Sequence, residues 1–198
     1  MIGAIVLAAG ESTRMGTQKL LLPYAGSTVI ETIVDQVLRS RVDACVVVTG
    51  HEPERIRECL GARDVLYAQN DVYRDGMLSS VRAGLAGLGE SWEAAIVALG
   101  DQPSLRAETI DLLIERHAAA PEEIVVPAFE GRRGHPLLVP TCFREEIMKD
   151  FDATGLRGLL HAHPESVVEI GLDTSTILDD MDYPEDYRRA IDALRNAD

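Results

Sequence analysis

Residues 2–23 read IGAIVLAAGESTRMGTQKLLLP. The nearly continuous apolar run from Ile2 to Ala8 has the character of a strand buried on both faces, and it stops at a glycine loop that carries Arg14 and Lys19. Small residues let backbone N–H groups approach an anion closely, and the two cations add charge. Five residues separate Gly10 from Gly16, and two separate Gly16 from Lys19, so the spacing is neither that of a Walker loop nor GxGxxG. The plainer reading is a glycine turn with two solvated cations. Against it, the chain holds 17 arginines but only two lysines, Lys19 and Lys149, and a compact ammonium at this spot suits a point charge on phosphate.

Outward from this stretch the pattern alternates. Thr28 and Glu31 have the spacing of a capping box, with Ser27 as a second candidate cap, and Val29, Ile30, Ile33, Val34, Val37 and Leu38 form one helical stripe. Strands are predicted over residues 44–49, 65–68 and 94–99, with helices over 53–60 and 76–88 between them. This βαβαβαβ order implies right-handed crossovers and a mostly parallel sheet covered on both faces. Ligands of such sheets sit beyond the carboxyl ends of the strands, here Ala8 to Lys19, Gly50-His51, Asn70-Asp71 and Gly100 to Pro103. After Pro103 the pattern loosens into a helix near 107–119, a strand over 124–127, a turn over 130–134 and a strand over 135–139. We read this as a small antiparallel insertion forming one wall of the site. Two helical stretches, a strand near 167–170 and a helix from Pro184 complete the chain.

A length of 198 residues with 46% hydrophobic content suits a single domain, 1–198. The net charge of −14 argues against duplex nucleic acid or an anionic membrane as partner, so an anionic ligand needs a local cationic pocket. Cys45, Cys59 and Cys142 form no CxxC pair and are expected to be buried thiols in a reducing cytoplasm. No apolar run approaches the roughly 20 residues of a membrane span. His161 and His163 lie two apart on a predicted helix and make poor joint metal ligands.

Asp101 follows the apolar run 95–99, opposite the phosphate-type loop, where a carboxylate can hold Mg²⁺ together with phosphate oxygens. Its alternative role is to cap the next helix, for which Ser104 is better placed. Asp182 is a second carboxylate candidate, or simply the cap of the helix that opens at Pro184.

Taken together, LAAGxSxRMGxxKLLLP, N-x4-GMLSSVRAGL, GDQP, GRRGHPLL and DMDYPED resemble the MobA-like nucleotidyltransferases of molybdenum-cofactor biosynthesis over essentially the whole chain. GDQP, RGHP and the opening LAAG point to the cytidylyltransferase branch. The resemblance implies an α/β fold, a Rossmann-like three-layer α/β/α nucleotidyltransferase architecture, and transfer from CTP to molybdopterin with release of pyrophosphate. It implies Arg14 and Lys19 on the triphosphate, with Leu7, Ala8, Ala9, Gly10 and Gly16 around it. Mg²⁺ falls to Asp101 with Asp182, Asn70, Ser79 and Ser80 stand near base and ribose, and His135 faces the acceptor. Transient contact with a molybdoenzyme or its chaperone is a further implication. In place of the GDxGAR-like segment of related cytidylyltransferases, this chain has Asp152 followed by Ala153-Thr-Gly-Leu-Arg157. Rival readings keep the chemistry with GTP or with a sugar or alcohol phosphate, or change class to an NAD(P)H-binding oxidoreductase or a cofactor-delivery protein. The missing GxGxxG speaks against redox use.

Overall fold

Strand β1 (Ile2–Ala8) is buried on both sides, and this dictates the layers around it. Its side chains alternate, so Ile2, Ala4, Val6 and Ala8 enter one core and Ile5 the other. The computed structural model describes residues 1–197. In chain order the remaining elements begin with β2 (Pro23–Tyr24), β3 (Ser27–Thr28), α1 (Val29–Arg39), β4 (Ala44–Thr49), α2 (Pro53–Leu60), β5 (Leu66–Gln69), α3 (Met77–Leu88) and β6 (Ala94–Leu99). They continue with α4 (Ala107–Ala119), β7 (Ile124–Phe129), β8 (Arg132–Arg133), β9 (Leu137–Pro140), α5 (Arg144–Lys149), α6 (Leu156–Ala162), β10 (Val167–Gly171) and α7 (Pro184–Ala197).

The main sheet runs β10-β7-β9-β6-β1-β4-β5, with β8 paired to β7, while β2 and β3 form a separate antiparallel hairpin. Helices α1, α2 and α4 supply the core on one face, and α3, α5 and α6 the core on the other. This is the expected three-layer architecture, and the capping box forms as read, with Glu31 N–H on the Thr28 hydroxyl and the Glu31 carboxylate on Thr28 N–H. The antiparallel part is more integrated than an appended wall: β9 lies inside the main sheet, antiparallel to both β6 and β7.

Because β1 pairs with β4 on one side and β6 on the other, chain order reverses there, which opens a crevice at the carboxyl ends of β1 and β6. Helix α3 closes tightly beneath it, and a Cβ on Gly84 would lie 2.2 Å from Ile5 Cγ2. Gly100 donates its N–H to Leu7 O at 2.9 Å, and a Cβ there would lie 2.5 Å from the same oxygen. Glycine is therefore required for the two strand ends to stay together. The cysteines depart from expectation: Cys45 is buried, Cys59 half-buried and Cys142 exposed. Burial pushes the Cys45 thiol up to about 12. No helix among the described residues is long and apolar enough to cross a membrane.

Candidate active site

The opening loop is shaped by two left-handed residues, Ser12 (φ 54°) and Gly16 (φ 68°), on either side of a short 3₁₀ turn, Thr13–Met15. The Ser12 hydroxyl accepts the Lys19 N–H at 3.2 Å and donates to Gln18 Oε1 at 3.0 Å, so the loop closes on itself and aims Lys19 inward. The Lys19 ammonium bonds the Asp101 carboxylate and, at 3.1 Å, Asp182 Oδ1. Arg14 takes the other Asp182 oxygen at 2.9 Å. The Lys19 side chain is only 13% exposed. Burial opposes its charge, but Asp101 foremost, and then Asp182, outweigh it and hold the pKa above the ordinary lysine value.

The carboxyl-terminal segment is anchored by a residue of the GDQP motif. Gln102 is buried and donates to Asp180 Oδ1 at 2.5 Å and to Ile177 O at 3.2 Å. Partial burial raises the Asp180 carboxyl pKa; Gln102 lowers it in part, and the neighbouring Asp101 and Asp182 raise it further. Asp182 does not cap the last helix with its side chain. The Asp182 and Tyr183 N–H groups donate to Asp186 Oδ2 at 3.0 and 2.7 Å, so Asp186, in the first turn of α7, ties down the segment before it, and the Asp182 carboxylate faces Lys19. Ser104 does not cap α4 either, because the cap position is Arg106.

A cavity of about 300 Å³ opens at this crevice, lined by Leu7, Ala9, Gly10, Lys19, Ser80, Asp101 and Asp182 among the expected residues. Sequence reading missed Ser12, Leu20, Tyr73, Gly76, Met77, Leu99 and Asp180, which also line it. Tyr73 carried no sequence signal; its place follows from packing, since a Cβ on Gly50 would lie 2.9 Å from both Tyr73 Cβ and Ala9 Cβ. The Tyr73 hydroxyl donates to Glu11 at 3.1 Å, and Arg74 bonds the same carboxylate oxygen. Asn70 stands behind the wall. It is 2% exposed, and its amide donates to the hydroxyls of Ser79 (2.8 Å) and Ser80 (2.9 Å). Ser79 in turn donates to Gly76 O at 2.8 Å, so Asn70 and Ser79 orient the start of α3 and Ser80 alone of the three reaches the cavity. Ala8, Gly16 and Arg14 also lie outside its lining.

His135 lines an adjoining cavity of about 550 Å³ that shares Met77 and adds Leu78, Arg133, Gly134, Leu156, Arg157 and His161. In a chain of net charge −14 this gathers two arginines and two histidines around one opening. Burial keeps the His135 pKa below the ordinary histidine value, Asp101 opposes this, and Arg157 adds to it. His163 turns away to Glu146 at 2.7 Å, so the two histidines serve different surroundings.

Residues 4–167 match the family described as the MobA-like NTP transferase domain. The chain belongs to that family. The enzyme is therefore a nucleotidyltransferase. It is 30% identical over 190 residues to the molybdenum cofactor cytidylyltransferase of Escherichia coli (strain K12), covering 94% of this chain and 93% of that one. Among solved structures, a nucleotidyl transferase from Methanothermobacter thermautotroptrophicus superposes with a TM-score of 0.86 at 26% identity, covering 100% of this chain and 99% of that one. The manganese complex of Rv0371c from Mycobacterium tuberculosis H37Rv gives 0.83 at 26% identity, with 97% and 98% covered.

Proposed function

We propose that this nucleotidyltransferase transfers the cytidylyl group of CTP to the phosphate of molybdopterin and releases pyrophosphate, with a divalent cation as cofactor. The observation that carries the reading is the juxtaposition of two cavities. One ends on Lys19, Asp101 and Asp182; the other, sharing Met77 with it, is lined by His135, Arg133 and Arg157. The cytidylyltransferase likeness of the E. coli relative supports CTP and molybdopterin, and the manganese bound by Rv0371c supports a divalent ion.

A phosphate oxygen of the acceptor attacks the α-phosphorus, the bond from that phosphorus to the bridging oxygen breaks, and the electron pair leaves with pyrophosphate. No covalent nucleophile is needed, so the protein contributes position and charge. Lys19 and Arg14 exchange their carboxylate partners for triphosphate oxygens. Ser80 meets the nucleoside, and His135, neutral at neutral pH, donates a hydrogen bond to the acceptor phosphate. Asp101 and Asp182 fit a divalent cation: one ammonium already contacts both, and they are hard oxygen donors. No group of three or more His, Cys, Asp or Glu residues suited to a metal occurs among the described residues, so phosphates and water would complete the coordination. When bound there, Mg²⁺ or Mn²⁺ neutralises developing charge on the phosphoryl oxygens.

Calorimetric titration with CTP, GTP, ATP and NADPH, each with and without Mg²⁺, tests the reading. Selective, metal-dependent CTP binding supports it and a preference for GTP moves the base. Binding of NADPH without any triphosphate refutes it. Transfer of labelled CMP from CTP to molybdopterin then tests the acceptor.

A further inference from the structure

Helix α3 belongs to both cavities, since Met77 and Ser80 line the first and Met77 and Leu78 the second. The facing wall of the second cavity is the stretch from Thr154 to His161, which belongs to a different part of the chain. Arg82 joins the two. Its Nε donates to Ile147 O at 2.8 Å, one terminal nitrogen to Asp150 O at 2.7 Å, and the other to the Asp152 carboxylate at 2.6 Å. One planar guanidinium thus holds both the end of α5 and the entry to the wall, a three-way geometry that a lysine ammonium does not reproduce.

The turn it grips is conformationally demanding. Phe151 has a left-handed backbone (φ 71°), as does Gly155 (φ 62°), and a Cβ on Gly158 would lie 2.1 Å from Thr154 Oγ1. Phe151 O accepts the Thr154 and Gly155 N–H groups at 3.0 and 2.7 Å. A non-glycine residue in this region persists only when its surroundings over-determine it, and Arg82 supplies that constraint at residues 150 and 152 on either side of Phe151. Arg157, which shows no ion pair among the described residues, is carried into the cavity by this turn. Asp152, where the sequence departs from related cytidylyltransferases, has a defined task as the charged partner of Arg82.

We propose that Arg82 is a positioning residue for the acceptor: it fixes the 150–158 turn against the helix that meets the nucleotide, so that both substrates are held at one separation. The inference rests on the acceptor assignment above. Arg82 lines neither cavity and acts only through the wall it holds.

The test compares Arg82→Met, Arg82→Lys and Asp152→Ala with the unaltered protein by amide hydrogen exchange, calorimetry with CTP and Mn²⁺, and steady-state kinetics with CTP and molybdopterin. In Arg82→Met, exchange at Thr154, Gly155 and Gly158 rises about tenfold or more. KM for molybdopterin rises on the order of tenfold, while CTP affinity stays within about twofold. Arg82→Lys and Asp152→Ala fall between. Unchanged protection of these amides overturns the proposal, as does a CTP affinity that falls as far as the acceptor KM rises, which would mark Arg82 as a general structural residue. If the unaltered protein transfers nothing to molybdopterin, the acceptor assignment fails, and the exchange comparison alone decides the clamp.

Discussion

Replacing Lys19 with methionine should change two affinities in opposite directions. The ammonium bonds Asp101 and Asp182 with its side chain 13% exposed, so it engages both carboxylates proposed to hold the divalent cation. A free divalent ion must displace it. Methionine keeps most of the volume and removes the charge. A unit charge about 4 Å away is worth at most about 4 kcal/mol at an effective dielectric of about 20. Solvation of the open crevice and the remaining Arg14 on Asp182, at 2.9 Å, reduce the gain in metal affinity to about 1–2 kcal/mol, roughly tenfold. The triphosphate, in contrast, loses a charge-assisted hydrogen bond of about 1.5–3 kcal/mol, so CTP affinity in saturating metal falls by about 10- to 100-fold. Titration of Mn²⁺ followed by the electron paramagnetic resonance of the free ion, with no nucleotide present, gives the first number; calorimetry with CTP gives the second. Weaker Mn²⁺ binding in Lys19→Met, or unchanged CTP affinity, would refute the account of Lys19 as a cation handed from carboxylates to phosphate.

Three further outcomes are expected. Asp101→Asn should leave the circular dichroism spectrum intact and lower kcat by about 10²–10³, because it removes a carboxylate proposed to hold the divalent cation; a rate within a few-fold of the unaltered enzyme would remove Asp101 from the site. Gly100→Ala places a Cβ 2.5 Å from Leu7 O, so β1 and β6 must part at their carboxyl ends, costing about 1–3 kcal/mol in urea denaturation and weakening CTP binding. His135 and His117 both have pKa values lowered by burial from an ordinary value near 6.5. Between the folded and unfolded values the unfolded chain binds more protons, so the stability these neutral imidazoles contribute is present above about 6.5 and lost as pH falls below it. Urea midpoints measured from neutral to mildly acidic pH should decline through that window, and His117→Gln should flatten the slope; an unaltered slope would exclude His117 as a source.

Much of the architecture was legible in the sequence because it rests on neighbours in the chain. The unbroken apolar run of β1, the stripe and capping box of α1 and the glycines of the opening loop express local periodicity and turn chemistry. Their order then implies a parallel sheet with its crevice at the strand ends. The family motifs placed Lys19, Asp101, Asp182 and Ser80 at that crevice. What the motifs did not reveal was how these side chains share their work. Asn70 has the composition of a binding residue, yet its amide is spent on two serine hydroxyls, leaving only Ser80 in the cavity. For Asp182 the sequence left two roles open, a site carboxylate or the cap of the last helix, and its side chain goes to Lys19 and Arg14.

By itself the sequence determined the layer order, the nucleotide-type loop and the family, since each depends on spacing within one element or one loop. Only the tertiary structure decided that β9 lies antiparallel within the main sheet and that Tyr73 lines the site, close against Gly50, which has no Cβ to keep it away. It also brought Lys19 onto carboxylates 82 and 163 residues away and Arg82 onto a turn 65 to 70 residues on. The physical reason is the same throughout: hydrogen bonds and ion pairs depend on distances of about 3 Å, and across such separations in the chain only the packing of strands and helices determines which groups come that close.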